Sequence, residues 1–166
     1  AARGEPPRAI VVGGGVGGLA AGVSLGQAGA SVLVLERATA LRATGAGLWL
    51  WPNGLAALDA LGVGDAVRAA GIVQTANRVR DDRGRVLRMV CVPGSDGRPA
   101  ASLAIGRAAL LGALAAALPA DAVRSGAEVA AVEPRADGVA VTLTDGETLA
   151  ADLVVAAVGA GSRIRR

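Results

Sequence analysis

The chain has no histidine, lysine, tyrosine or phenylalanine, so each of its 17 basic side chains is an arginine. That excludes an imidazole base or metal ligand, a lysine Schiff base and a phenolic proton donor. A single cysteine, Cys91, rules out an internal disulfide and a cysteine-cluster metal site, and no metal is expected. Within its apolar run Cys91 reads as a small strand filler. Two tryptophans are the only aromatics, and the arginines are scattered rather than clustered, which excludes the basic stacking surface of nucleic-acid binders. Net charge is only +3, and nothing but carboxylates and guanidiniums titrates over most of the pH range, so a high isoelectric point carries no message about partners. Arg163, Arg165 and Arg166 read as a solvated end.

Charge is also missing from Ala9 to Leu35. A hydropathy window would flag this stretch as a membrane span. Its dense glycines, and its change from β-branched run to glycine turn to helix and back, oppose both that reading and a signal peptide. A cytoplasmic protein without membrane association is expected.

The same stretch carries the most informative pattern in the chain. Gly13, Gly15 and Gly18 follow the strand-like run Ala9–Val12 and open a helix-like segment, and a second β-rich run from Ser31 ends on Glu36, 23 positions after Gly13. This is the context of a dinucleotide fingerprint. Gly13 permits the tight turn, Gly15 lets the backbone approach a pyrophosphate, and Gly18 lets the helix pack on the sheet. The helix N-terminus then faces the phosphates. Glu36 accepts hydrogen bonds from the adenosine ribose hydroxyls and repels a 2′-phosphate.

The 166 residues suffice for one domain with a sizeable core. A flexible lead at 1–7 precedes a domain over 8–166. Strands are predicted at 8–13 and 31–36, with a helix at 17–28 between them. A short helix opens at Pro52-Asn53 and ends at Gly62, and a second runs from Asp65, read as an N-cap, to Gly71. Residues 73–92 read as one hairpin around Asp81–Gly84. A Gly/Pro loop at 93–99 leads to a strand near 101–105 and a helix from Arg107 to Leu118. A three-stranded meander then feeds a buried strand at 152–158. Trp49 and Trp51 are expected to point to opposite sides of a strand-like stretch, in ordinary packing.

Beyond the fingerprint, several segments together resemble the N-terminal part of the FAD-dependent aromatic-ring monooxygenases, the flavoprotein hydroxylases of the para-hydroxybenzoate and salicylate type. Glu36-Arg37 resembles the family's pair at the adenosine ribose. Residues 45–71 are similar to its glycine loop and Pro-Asn helix beside the flavin, with Arg42 just ahead. Arg107 occupies the place of an arginine that reaches the FAD phosphates, although Gly106 stands where a histidine is frequent. Val129 matches a position whose backbone contacts adenine. Residues 152–166 resemble the second flavin motif, with Gly159 retained and Ser162 and Arg163 following. The implied fold is α/β: a Rossmann-like FAD-binding open parallel sheet with a helix layer and a three-stranded β-meander.

The resemblance implies FAD as cofactor, NAD(P)H as co-substrate of the parent family, and O2 and a small aromatic or electron-rich molecule as reactants. The implied cofactor-binding residues are Gly13, Gly15, Gly18, Glu36, Arg37, Arg107, Val129 and Gly159; no catalytic acid or base is assigned. Two departures stand out. Val158 replaces the second motif's aspartate, and its loss is expected to weaken FAD binding by about 1–3 kcal/mol. The family's substrate-covering sheet and third flavin motif are not in this sequence; Gly64-Asp65 is not that motif. The isolated chain is therefore expected to be inactive as a hydroxylase. A truncated or degenerate non-catalytic flavin-binding protein is the alternative, and a NAD-binding Rossmann dehydrogenase domain is a third reading. Substrate and oligomeric state are not encoded in any motif.

Overall fold

A computed structural model describes residues 4–41, 47–74, 76–90 and 101–159. Arg42, Gly45, Cys91, the loop at 93–99 and the terminal Ser162, Arg163, Arg165 and Arg166 lie outside the described residues. In chain order the elements are β1 (Arg8–Val12), α1 (Val16–Gln27), β2 (Ser31–Glu36), β3 (Gly47–Leu50), α2 (Pro52–Ala60), α3 (Gly64–Ala69), β4 (Ile72–Gln74), β5 (Asn77–Arg80), β6 (Val86–Val90), β7 (Ser102–Gly106), α4 (Arg107–Ala116), β8 (Val123–Ser125), β9 (Val129–Arg135), β10 (Gly138–Leu143), β11 (Thr148–Ala151) and β12 (Leu153–Ala156). They form two units, one of residues 1–43 with 111–166 and the other of residues 44–110.

The first unit is built on a four-stranded sheet in the order β12-β1-β2-β8, parallel throughout. A strand buried on both faces reads as a continuous apolar run, and Ala9 to Val12 is such a run, each residue at most 5% exposed. Alternation then divides its side chains. Ile10, Val12 and Leu35 face the antiparallel meander β11-β10-β9, forming a core with Ala127, Val141, Leu143 and Ala151. Val32 and Val34 turn the other way, beneath α1, where Gly22 lets the helix descend onto them: a Cβ there would meet Val34 at 3.1 Å. The result is a helix layer, a parallel sheet and a meander, the architecture expected from the sequence. The ion pair Arg124–Glu147 (2.5 Å) ties β8 to the turn between β10 and β11.

The second unit holds the antiparallel sheet β3-β7-β4, the separate hairpin β5-β6, and helices α2 and α3. The bidentate pair of Arg68 with Asp59 fastens α3 to α2 at 2.5 and 2.6 Å. This hydrogen-bonded guanidinium holds the Asp59 carboxyl below its ordinary value of 3.8.

Four expectations need correction. The segment 73–92 is not one hairpin: β4 leaves it to pair with β7, and only β5 and β6 form the two-stranded ribbon. The strand after the meander lies at the sheet edge with exposed ends rather than buried, because it has a neighbour on one side only. Asp65 lies inside the first turn of α3, whose N-cap is Val63. Trp49 and Trp51 share one side and stack on each other, centroids 6.2 Å apart, since Trp51, the N-cap of α2, continues the extended backbone of β3 and residues two apart on an extended chain lie on the same face. They are 41% and 46% exposed, not packed.

Among the described residues no helix is long and apolar enough to cross a membrane. The uncharged stretch from Ala9 to Leu35 divides into β1, the 12-residue α1 and β2.

Candidate cofactor site

The carboxyl ends of β1 and β2 and the start of α1 meet at one corner. Gly13 leaves β1 at φ +112°, a conformation that L side chains rarely adopt, and a Cβ on it would lie 2.5 Å from the Ala157 carbonyl oxygen. Its N–H donates to the Leu35 carbonyl at 2.7 Å, holding the turn against β2. Gly18 faces inward across this turn, so that a Cβ there would overlap the Gly13 carbonyl oxygen. These two glycines are required by the chain's own packing.

Gly15 is different. It is the N-cap of α1 with ordinary backbone angles (φ −76°, ψ −179°), and a Cβ built on it would meet nothing within 4 Å. No side chain caps this helix, and its first turn carries no acid. The first N–H groups of a helix have no intrahelical acceptor, and they carry the positive end of the helix dipole. A glycine that the protein does not need, beside N–H groups that the protein does not cap, leaves room for an anionic group brought from outside.

Glu36 ends β2 with its carboxylate turned into the same corner. Oε2 accepts from the Gly14 N–H at 2.7 Å, and Oε1 accepts from the Ala38 N–H at 2.9 Å. Each carboxylate oxygen accepts about two hydrogen bonds, so both keep acceptor capacity after these contacts. A vicinal diol is a fitting partner for two pre-aimed acceptors. The residues present therefore fit a dinucleotide: amide hydrogens and open space for a diphosphate, and a fixed carboxylate for a ribose.

Two further segments converge on this corner. The Ala127 N–H donates to the Glu36 carbonyl at 2.9 Å and the Gly126 N–H to the Ala38 carbonyl at 2.7 Å, placing the entry to β9 beside the end of β2. Val129, the first residue of β9, is half-buried against the meander-side core. After β12, Ala157 abuts Gly13 and Gly18, and Gly159 follows at φ +73° with nothing within 4 Å of its Cβ position. Between them Val158 turns to the core and packs on it as an apolar residue. Arg37 is exposed next to Glu36. Arg107, exposed, opens α4 in the other unit.

Sequence reasoning missed the groups that aim Glu36. Gly14 is one: its Cβ would lie 2.9 Å from both Glu36 Cβ and Leu41 Cδ2, so the middle glycine of the run is demanded by the acid beside it. The run Gly13-Gly14-Gly15 was the available signal. Ala38 contributes only a backbone N–H, and no residue type announces that.

The family model for the FAD binding domain matches residues 8–166. The 3-amino-4-hydroxybenzoate 2-monooxygenase of Streptomyces cremeus is 37% identical over 96% of this chain and 41% of its own length. The 2-heptyl-3-hydroxy-4(1H)-quinolone synthase of Mycobacteroides abscessus is 41% identical over 95% of this chain and 41% of its own. Among solved structures, Klebsiella pneumoniae HpxO, crystallised with FAD and uric acid, superposes with a TM-score of 0.80 at 31% identity, covering 92% of this chain and 39% of that one. The chain thus spans about two fifths of the length of these relatives. With its motif glycines and Glu36 gathered at one corner and the family match running through the whole sheet, the chain belongs to the FAD binding domain family.

Proposed function

We propose that this chain is the FAD-holding portion of an NAD(P)H-dependent flavin monooxygenase that hydroxylates an aromatic or other electron-rich small molecule. The observation that carries the reading is the Glu36 carboxylate, pinned by two backbone N–H groups beside the uncapped, open start of α1.

In this reading the free N–H groups at the start of α1 bind the diphosphate, and Gly15 supplies the clearance. Glu36 accepts from the ribose hydroxyls, and its negative charge repels a ribose 2′-phosphate. Val129 offers its backbone to the adenine, Gly159 lines the approach after β12, and Arg37 and Arg107 supply positive charge for the nucleotide. Bound FAD would supply the redox chemistry by which NAD(P)H, O2 and the substrate give a hydroxylated product and water. The protein's part is to bind, orient and exclude water; no acid or base is assigned. The cytoplasm, where NAD(P)H is plentiful, is the proposed location.

Val158 favours a second reading, a flavin-binding protein without catalysis, because an apolar side chain packed on the core offers the cofactor no hydrogen bond.

The test is a titration of purified chain with FAD, followed by flavin absorbance at about 450 nm, beside Glu36→Ala. Saturable binding, weakened at least tenfold in the variant, is expected. Colourless protein that takes up NAD instead, or a variant that binds FAD as tightly as the parent, overturns the assignment.

A further inference from the structure

The segment that follows Glu36 bends back to the nucleotide corner. Arg37, Thr39 and Ala40 are exposed, and Leu41 returns to a half-buried place. Three hydrogen bonds from main-chain N–H groups fix the base of this bend. The Ala38 N–H donates to Glu36 Oε1 at 2.9 Å, the Gly126 N–H to the Ala38 carbonyl at 2.7 Å, and the Ala127 N–H to the Glu36 carbonyl at 2.9 Å. Gly14 marks where Leu41 arrives. A Cβ built on that glycine would lie 2.9 Å from Leu41 Cδ2, 2.9 Å from Glu36 Cβ and 3.1 Å from Glu36 Oε2. The Leu41 methyl group and the Glu36 side chain therefore border one small space, which Gly14 leaves open. All of these residues belong to the first unit.

This leucine stands apart from the meander-side core, so filling that core does not account for it. Beside a carboxylate it has two effects. It carries no donor, so it leaves untouched the acceptor capacity that Oε2 keeps after the Gly14 N–H. It also keeps water from one flank of the carboxylate, and a hydrogen bond strengthens where water competes less. Among the described residues no arginine forms an ion pair with Glu36. The oxygen beside Leu41 is thus aimed by the fold but not saturated by it.

We propose that Leu41 is a positioning residue for the nucleotide: it acts through Glu36, keeping Oε2 dry and free for a hydroxyl of the adenosine ribose. The inference rests on the FAD-holding reading and deepens it, since the strength of the carboxylate–diol contact comes to depend on an apolar neighbour.

The test compares ADP with 2′,3′-dideoxy-ADP, which differ only in the ribose diol. Each is used to displace FAD from the whole chain, followed by flavin absorbance. Wild type is expected to prefer ADP by about tenfold or more, as hydrogen bonds to a charged group imply. Leu41→Ala should reduce this preference to about threefold or less, with affinity for the dideoxy compound within about threefold of wild type. Leu41→Met, apolar and of similar size, should keep the preference. Leu41→Gln, with a donor able to claim Oε2, should abolish it. Far-UV circular dichroism checks that each variant is folded. A leucine that only supported the fold would weaken both nucleotides alike and leave their ratio unchanged. A wild-type ratio in folded Leu41→Ala or Leu41→Gln, loss of the preference in Leu41→Met, or loss of the fold in both Leu41→Ala and Leu41→Gln overturns this inference alone. A wild-type chain that binds FAD without preferring ADP overturns the Glu36–ribose contact and the role of Leu41 together. Failure to bind FAD at all is the failure of the monooxygenase reading, and the inference falls with it.

Discussion

Alanine at Gly15 and alanine at Gly18 should separate what the fold needs from what the cofactor needs. At Gly18 the new methyl group would overlap the Gly13 carbonyl oxygen and lie 3.3 Å from the Ala157 Cβ, so backbone must move. Overpacking typically costs about 1–3 kcal/mol, and a collision with main chain belongs at the top of that range. At Gly15 the methyl group meets nothing, and φ is ordinary. Loss of unfolded-chain entropy there contributes about 0.4–1 kcal/mol of stability, and alanine's poor N-capping removes a similar amount. The net change should stay within about 0.5 kcal/mol. The same methyl group stands where the diphosphate must approach, displacing at least one charge-assisted hydrogen bond of about 1.5–3 kcal/mol. FAD affinity should therefore fall roughly 10- to 100-fold. Urea denaturation of the apo-protein followed by far-UV circular dichroism gives the first quantity, and FAD titration the second. Equal destabilisation by both substitutions, or wild-type FAD affinity in Gly15→Ala, would refute the reasoning.

Further outcomes follow from the same geometry. Glu36→Gln turns an amide NH2 toward one of the two backbone donors it now accepts from, so it should cost about 1–3 kcal/mol of apo stability as well as FAD affinity; thermal melts with and without FAD resolve the two. Val158→Asp should lower apo stability by about 1–2 kcal/mol, since it replaces an apolar residue packed on the core, while tightening FAD; unchanged FAD affinity would show that the second motif is misaligned. The Arg68 pair holds the Asp59 carboxyl below 3.8, so the folded state binds its proton less readily than the unfolded state. Its contribution is complete above that value and disappears as pH falls through the lower folded-state value. The stability difference between wild type and Asp59→Asn, measured in urea at stepped pH, should be present at neutral pH and vanish in strong acid; a difference that grows on acidification contradicts the sign. Glu147, lowered by its hydrogen bond from Arg124, should behave in the same direction.

Much of the nucleotide corner can be read directly from residue order because its constraints are local. Strand, glycine turn, helix and returning strand are contiguous in the chain, and the spacing from Gly13 to Glu36 is set by one helix and one strand of ordinary length. The burial of Ala9–Val12 is legible for the same reason: a strand covered on both faces has no polar alternation to keep. The elements that went astray are those whose partners are remote. Ile72–Gln74 looks like the first arm of a hairpin, and only the docking of β7, some thirty positions on, draws it away. The three-residue β8 has no pattern of its own and exists because β2 offers a free edge.

At the level of single atoms the division is sharper. Residue types and their spacing named the acid and the glycines, since a carboxylate and an absent Cβ are properties of one position. Which glycine answers to a ligand and which to the fold is a question of neighbours: Gly13 and Gly18 are explained by the Ala157 and Gly13 carbonyls, and Gly15 by nothing in the protein. The aim of Glu36 came likewise from two backbone N–H groups, one of them 22 positions away. Main-chain donors are identical in every residue but proline, so their direction is decided only when the chain has folded.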